Sequence, residues 1–150
     1  MTLVRALVLG VAVTAMTAVA ADDKPAPLDP AKLVGEWKIV DGKKAGEKVG
    51  DDVKKGKVIV EKDKISLKSD DMTFVFGYKV DAKKSPAEID MELLEPEGLK
   101  GAKAKGIIKL EKDQFTLCYH PMGDRPAKFE SDKDNGFYLF VMEKAKKADK

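Results

Sequence analysis

Cys118 and His120 stand two residues apart in the stretch QFTLCYH, residues 114–120. In an extended segment that spacing puts both side chains on one face. There an imidazole could take the proton of a thiol, or the two groups could share a metal ion. They are the only cysteine and the only histidine in the chain. A zinc set needs further ligands of that kind, so no metal is assigned. A lone cysteine also excludes an internal disulfide, and stability must come from core packing. Paired carboxylates occur at Asp51/Asp52, Asp70/Asp71, Asp90/Glu92 and Glu95/Glu97. Glycosidase chemistry needs two carboxyl groups facing each other across a cleft, whereas these fall in charged connections or on an apparent solvent face. Glycine-rich phosphate loops, Gly-x-Ser-x-Gly elbows and His-Glu-x-x-His pairs do not occur in the sequence. The reading is non-enzymatic, without catalytic residues or a cofactor.

The elements that carry these groups are short alternating runs. They are GEWKIV (35–40), KVIVE (57–61), KISLK (64–68), MTFVFGYKV (72–80), EIDMELL (88–94), KGIIKLE (105–111), QFTLCYH (114–120) and FYLFVME (137–143). Each reads as a strand with one apolar face, and the connections carry no helical periodicity. Met72, Phe74, Phe76, Tyr78 and Val80 share one face, while Ile89, Met91 and Leu93 oppose Asp90 and Glu92. GKVIVEKDKISL (56–67) echoes GIIKLEKDQFTL (106–117). If each EKD segment is a hairpin turn, Val60 pairs with Ile65 and Val58 with Leu67, and likewise Leu110 with Phe115 and Ile108 with Leu117. All four pairs are apolar, which makes the register self-consistent. It places Phe115, Leu117 and Tyr119 on the core face and turns Cys118 and His120 away from it.

Eight sequential antiparallel strands fit a two-sheet sandwich or an up-and-down barrel, and closing the barrel removes the unpaired edges. The interior of an eight-stranded barrel can be filled by side chains or hold one small ligand. Phe74, Phe76, Tyr78, Met91, Phe115, Leu117 and Tyr119 are the candidate lining of such a pocket. Arg125, in the connection HPMGDRPAKF, is the candidate cation at its mouth for an acidic head group. The same aromatic residues would equally fill a solid core.

The ends of the chain speak of export. Arg5 precedes an uncharged apolar stretch from Ala6 to Ala21, and Asp22 and Asp23 follow. This is the pattern of a signal peptide over residues 1–21, cleaved after Ala20 or Ala21. The stretch is shorter than the roughly 20 apolar residues that span a bilayer, so no stable membrane anchor is expected after processing. The destination is the periplasm or the extracellular space. Removing the signal leaves about 130 residues, ordinary for one domain. Residues 22–30, rich in proline, read as a disordered leader, residues 31–144 as the barrel domain and residues 145–150 as a disordered tail. Asp29 before Pro30 marks the start of one short helical turn through Leu33. Twenty-eight basic residues stand against 26 acidic ones, and their interleaving argues against a nucleic-acid partner.

Leu33-x-Gly35-x-Trp37 follows that turn, and further along come Pro86-x-x-Ile89-Asp90, Lys105-Gly106-Ile107 leading to Leu110, Asp113-x-Phe115-x-Leu117-Cys118, and Arg125-Pro126-x-x-Phe129. In this order the motifs resemble an uncharacterised secreted, lipocalin-like domain family abundant in planctomycete bacteria, over nearly all of the mature chain. The resemblance implies an all-β, eight-stranded antiparallel barrel behind a short helical turn, with Gly35 allowing close chain passage and Trp37 plugging the barrel floor. Such barrels often place an arginine over the tryptophan. Here the last strand offers only Lys144, and Arg125 is the other candidate. The function expected is binding of a small, largely apolar ligand in or near the barrel mouth. The alternative is a structural or protein-interaction module of the cell envelope with no internal ligand, its protein partner unspecified.

Overall fold

The computed structural model describes residues 28–146. The expected signal peptide, the leader as far as residue 27 and residues 147–150 of the expected tail lie outside the described residues. Leading into the barrel is a 3-10 turn, Pro30–Leu33, capped as its sequence requires: the Ala31 amide donates to the Asp29 carboxylate at 3.0 Å. Nine strands follow: β1 (Gly35–Lys44), β2 (Glu47–Lys48), β3 (Lys57–Val60), β4 (Lys64–Lys68), β5 (Thr73–Asp81), β6 (Ala87–Glu95), β7 (Lys103–Glu111), β8 (Gln114–His120) and β9 (Tyr138–Lys144). β2 is a two-residue extension paired to the end of β1. The other eight run antiparallel in sequence order, and β1 pairs with β9 from Trp37 opposite Lys144 to Lys44 opposite Tyr138. That pairing closes an eight-stranded up-and-down barrel.

All eight expected strands are present, and so is the expected hairpin register. Val58 faces Leu67 and Val60 faces Ile65 across β3–β4, while Ile108 faces Leu117 and Leu110 faces Phe115 across β7–β8. Inward residues of the eight barrel strands meet in one core, from Leu33 and Trp37 at the floor through Val58, Ile89, Ile108 and Phe115 to Phe140 and Met142. Each such side chain withdrawn from water contributes about 1.5–3 kcal/mol.

Two features depart from the sequence reading. β1 runs four residues past Val40, through the polar Asp41-Gly42-Lys43-Lys44, because a bulge between Ile39 and Asp41 rephases it and turns Gly42 inward. A Cβ on Gly42 would lie 2.9 Å from the Phe140 ring, so the inward position needs glycine. Second, a five-residue helix, α1 (Asp51–Lys55), joins β2 to β3 where no helix was expected. Its signal was the charge order: Asp51 and Asp52 open the helix and Lys54 and Lys55 close it, in line with the helix dipole.

Candidate functional site

Trp37 seals one end of the barrel. Its ring is 1 % exposed, meets Phe115 edge to face at 5.6 Å between centroids, and donates its indole N–H to the Leu33 carbonyl at 2.7 Å. The 3-10 turn is thereby held under the floor. Lys144 is the cation that covers the indole, its Nζ 5.7 Å from the ring centroid. Gly35, at φ +144, brings the chain past Lys144 in a backbone conformation that side chains rarely adopt.

Above the floor lies an apolar cavity of about 50 Å³. Of the expected lining residues, Phe76, Met91, Phe115, Leu117 and Tyr119 do line it. Ile39, Val58, Ile65, Phe140 and Met142 line it as well. Their inward positions follow from strand alternation, but only barrel closure shows which of them reach the axis. Phe74 is half-buried on β5 opposite Leu67, outside the lining. Tyr78 is buried and donates its hydroxyl to the Glu61 carbonyl at 2.7 Å, which ties β5 to the β3–β4 turn. Burial, and then the Asp63 carboxylate, push its phenol above the usual range. Burial, and then the neighbouring Tyr138, raise the Tyr119 phenol as well.

The volume decides what this interior can hold. A water molecule occupies roughly 30 Å³ and ligand pockets span about 300–1,000 Å³. Side chains therefore fill most of the barrel and leave room for a few waters.

Arg125 is not at the barrel mouth, and its expected place there is corrected. It lies on the outer wall, where Nη1 donates to the carbonyls of Ile89 (3.1 Å) and Gly106 (2.8 Å) and Nη2 to Asp90 at 2.6 Å. Glu88 is within 3.6 Å of its Nε. Glu88 and Asp90 point outward from β6, so the guanidinium cannot reach a head group seated inside.

These bonds anchor the long irregular connection between β8 and β9, residues 121–137, which crosses the outside of β6, β7 and β8 as a strap. Its Pro126 is fully buried, its Glu130 carbonyl accepts from the Cys118 thiol at 3.5 Å, and Phe129 carries the Lys109 ammonium 5.0 Å above its ring centroid. Near its far end Ser131 accepts from the Gly46 amide at 3.0 Å and donates to the Phe137 carbonyl at 2.6 Å. The strap thus creates a second, outer core. Ile107 and Cys118 face out of the barrel yet are 2 % and 0 % exposed.

Cys118 and His120 do share the outer face, as the register required, but they do not form a reactive pair. Burial pushes the Cys118 thiol from an ordinary 9.0 to about 11, which leaves it protonated and poorly nucleophilic at neutral pH. The His120 ring is engaged elsewhere: Nδ1 accepts from the Met122 amide at 3.1 Å, and Phe137 meets the ring edge to face at 5.9 Å. Among the described residues no group of three or more His, Cys, Asp or Glu could hold a metal ion. The strap is what sequence reasoning missed. Its length and its apolar Pro126 and Phe129 were the available signal, since loops longer than about 12–15 residues in a compact domain are commonly functional.

No family model, curated protein or solved structure matches this chain.

Proposed function

We propose that this chain is an exported, non-enzymatic barrel module that works through its outer surface, not as a carrier of an internal ligand. The observation that carries this reading is the 50 Å³ interior, too small for a fatty-acyl or aromatic molecule. It favours the interaction module over the internal ligand site. The non-enzymatic part is supported by the state of the sharpest nucleophile candidate, a buried thiol held protonated and bonded to a backbone carbonyl. Export is supported by Arg5, the apolar stretch to Ala21 and the small residues at its end. The motif order and the barrel together support membership of a secreted, lipocalin-like family. Intact mass of the protein from its native host should show loss of the first 20 or 21 residues.

The test of the outer-surface reading uses a neutral apolar probe. Naphthalene is titrated into methyl-labelled protein while the methyl groups of Ile39, Leu117 and Met142 are followed by NMR. The wild type should show no saturable shift. Saturable micromolar binding at those methyl groups would restore the internal ligand site.

A further inference from the structure

A groove of about 360 Å³ opens at the rim of the barrel, at the end that Trp37 seals, between the β5–β6 turn, the β7–β8 turn and the strap. Its volume lies in the range of sites that hold small organic ligands. Pro86, Leu110 and Phe129 supply apolar surface, and Leu28 lies along it. Three lysines stand around that surface, Lys84, Lys109 and Lys112, against a single carboxylate, Glu111. Among the described residues none of the three lysines forms an ion pair. Elsewhere on the chain acidic and basic residues are interleaved, so this local excess of ammonium groups beside an apolar floor stands out.

The strap builds one wall. Arg125 on two carbonyls and two carboxylates, the buried Pro126 and the Cys118 bond to Glu130 hold the segment on either side of Phe129. Phe129 is thereby presented half-buried beside the groove, with Lys109 positioned over its ring. That arrangement gives a physical use to a long connection that barrel closure alone does not require.

We infer that this rim groove binds a single-chain amphiphile with an anionic head, the chain lying on Pro86, Leu110 and Phe129 and the head meeting Lys84, Lys109 and Lys112. The inference rests on the reading that the working surface is external. Apolar contact would supply most of the affinity and the lysines the choice of charge. A neutral amphiphile of equal length would lose the second contribution.

The experiment titrates the purified protein with 11-(dansylamino)undecanoic acid below its critical micelle concentration and follows the blue shift of the dansyl emission. Saturable micromolar binding is expected, with the methyl ester at least fivefold weaker. Lys109→Gln combined with Lys112→Asn should weaken the acid at least tenfold. Asparagine suits position 112 because Lys112 already sits at φ +53, a left-handed conformation that asparagine tolerates. Phe129→Ala should weaken binding similarly, and the lysine variants keep the test decisive if that change loosens the strap. The interior variant Phe76→Ala should leave the dissociation constant unchanged within twofold. Absence of saturable binding, or equal binding of acid and ester, overturns the groove and leaves the external-module reading standing. Weakening by Phe76→Ala but not by the lysine variants overturns both. At least tenfold tighter binding after Asp22→Asn and Asp23→Asn would identify the occupant as the chain's own segment before Leu28 and overturn the amphiphile.

Discussion

The indole of Trp37 donates to the carbonyl of Leu33, four residues earlier, at 2.7 Å, and both residues are 1 % exposed. One hydrogen bond thus joins the turn before the barrel to the ring that closes its floor. The same tryptophan pairs through its backbone with Val58 on β3 and Lys144 on β9, so it sits where the first strand meets both of its neighbours.

Trp37→Ala should cost about 3–5 kcal/mol, as large aromatic truncations in a core do. Trp37→Phe keeps much of the volume but strands the buried Leu33 carbonyl, at about 1–3 kcal/mol. Urea unfolding of the two variants measures the difference. Native Trp37 emission should be blue-shifted and shielded from iodide, and a red, freely quenched emission would contradict the sealed floor.

Gly106→Ala should destabilise by about 1–3 kcal/mol through overpacking. A Cβ there would lie 2.6 Å from the Cys118 carbonyl oxygen and 2.8 Å from Tyr119 Cβ. Both are fixed by strand pairing, so the shift would pass into β7 and β8. A melting temperature unchanged from wild type would show that the strands yield more easily than this packing allows.

Cys118 should react slowly with Ellman's reagent in the native protein and at once in urea. Its stability linkage has a defined sign. Because the folded thiol titrates at about 11 and an unconstrained one at 9.0, the unfolded chain loses its proton first as pH rises. The contribution is therefore fully present below pH 9 and is lost as pH passes toward 11. Tyr78 and Tyr119 are raised too and add losses at still higher pH, so the readout is the difference between wild type and Cys118→Ala. A difference that stays constant from pH 8 to 11 would contradict the buried thiol.

Arg125→Met should loosen the strap without opening the barrel. Two backbone carbonyls and Asp90 lose a charged donor, a loss of about 1–3 kcal/mol. Amide exchange over residues 121–130 should accelerate and Cys118 should become more reactive, while β3 and β4 keep their protection. Unchanged exchange in the strap would mean that Pro126 and Phe129 hold it unaided.

Leu117→Ala should cost about 2–5 kcal/mol and enlarge the interior enough to admit a small aromatic. Naphthalene should then perturb the methyl groups of Ile39 and Met142 in the variant. A saturable response in the wild type as well would mean that the interior is roomier than 50 Å³, and no response in either would mean that the core closes over the truncation.

Strand positions were legible because each run repeats every two residues, and a one-residue slip would carry every apolar side chain into water. That constraint is local, and it located eight strands and two hairpin registers, including the outward turn of Cys118. The end of β1 was not legible, since Asp41, Gly42, Lys43 and Lys44 have the composition of a loop. They are a strand because β9 pairs with them and Phe140 packs against Gly42, residues about a hundred positions away. The place of Arg125 was likewise undecided by sequence. Its partners, Ile89, Asp90 and Gly106, lie on other strands, and only the path of the strap brings them together. Whether the aromatic face would be a pocket or a core was also beyond any pattern of residues. Periodicity says which side chains point inward, but the space left between them depends on how eight strands close and how their rotamers interlock.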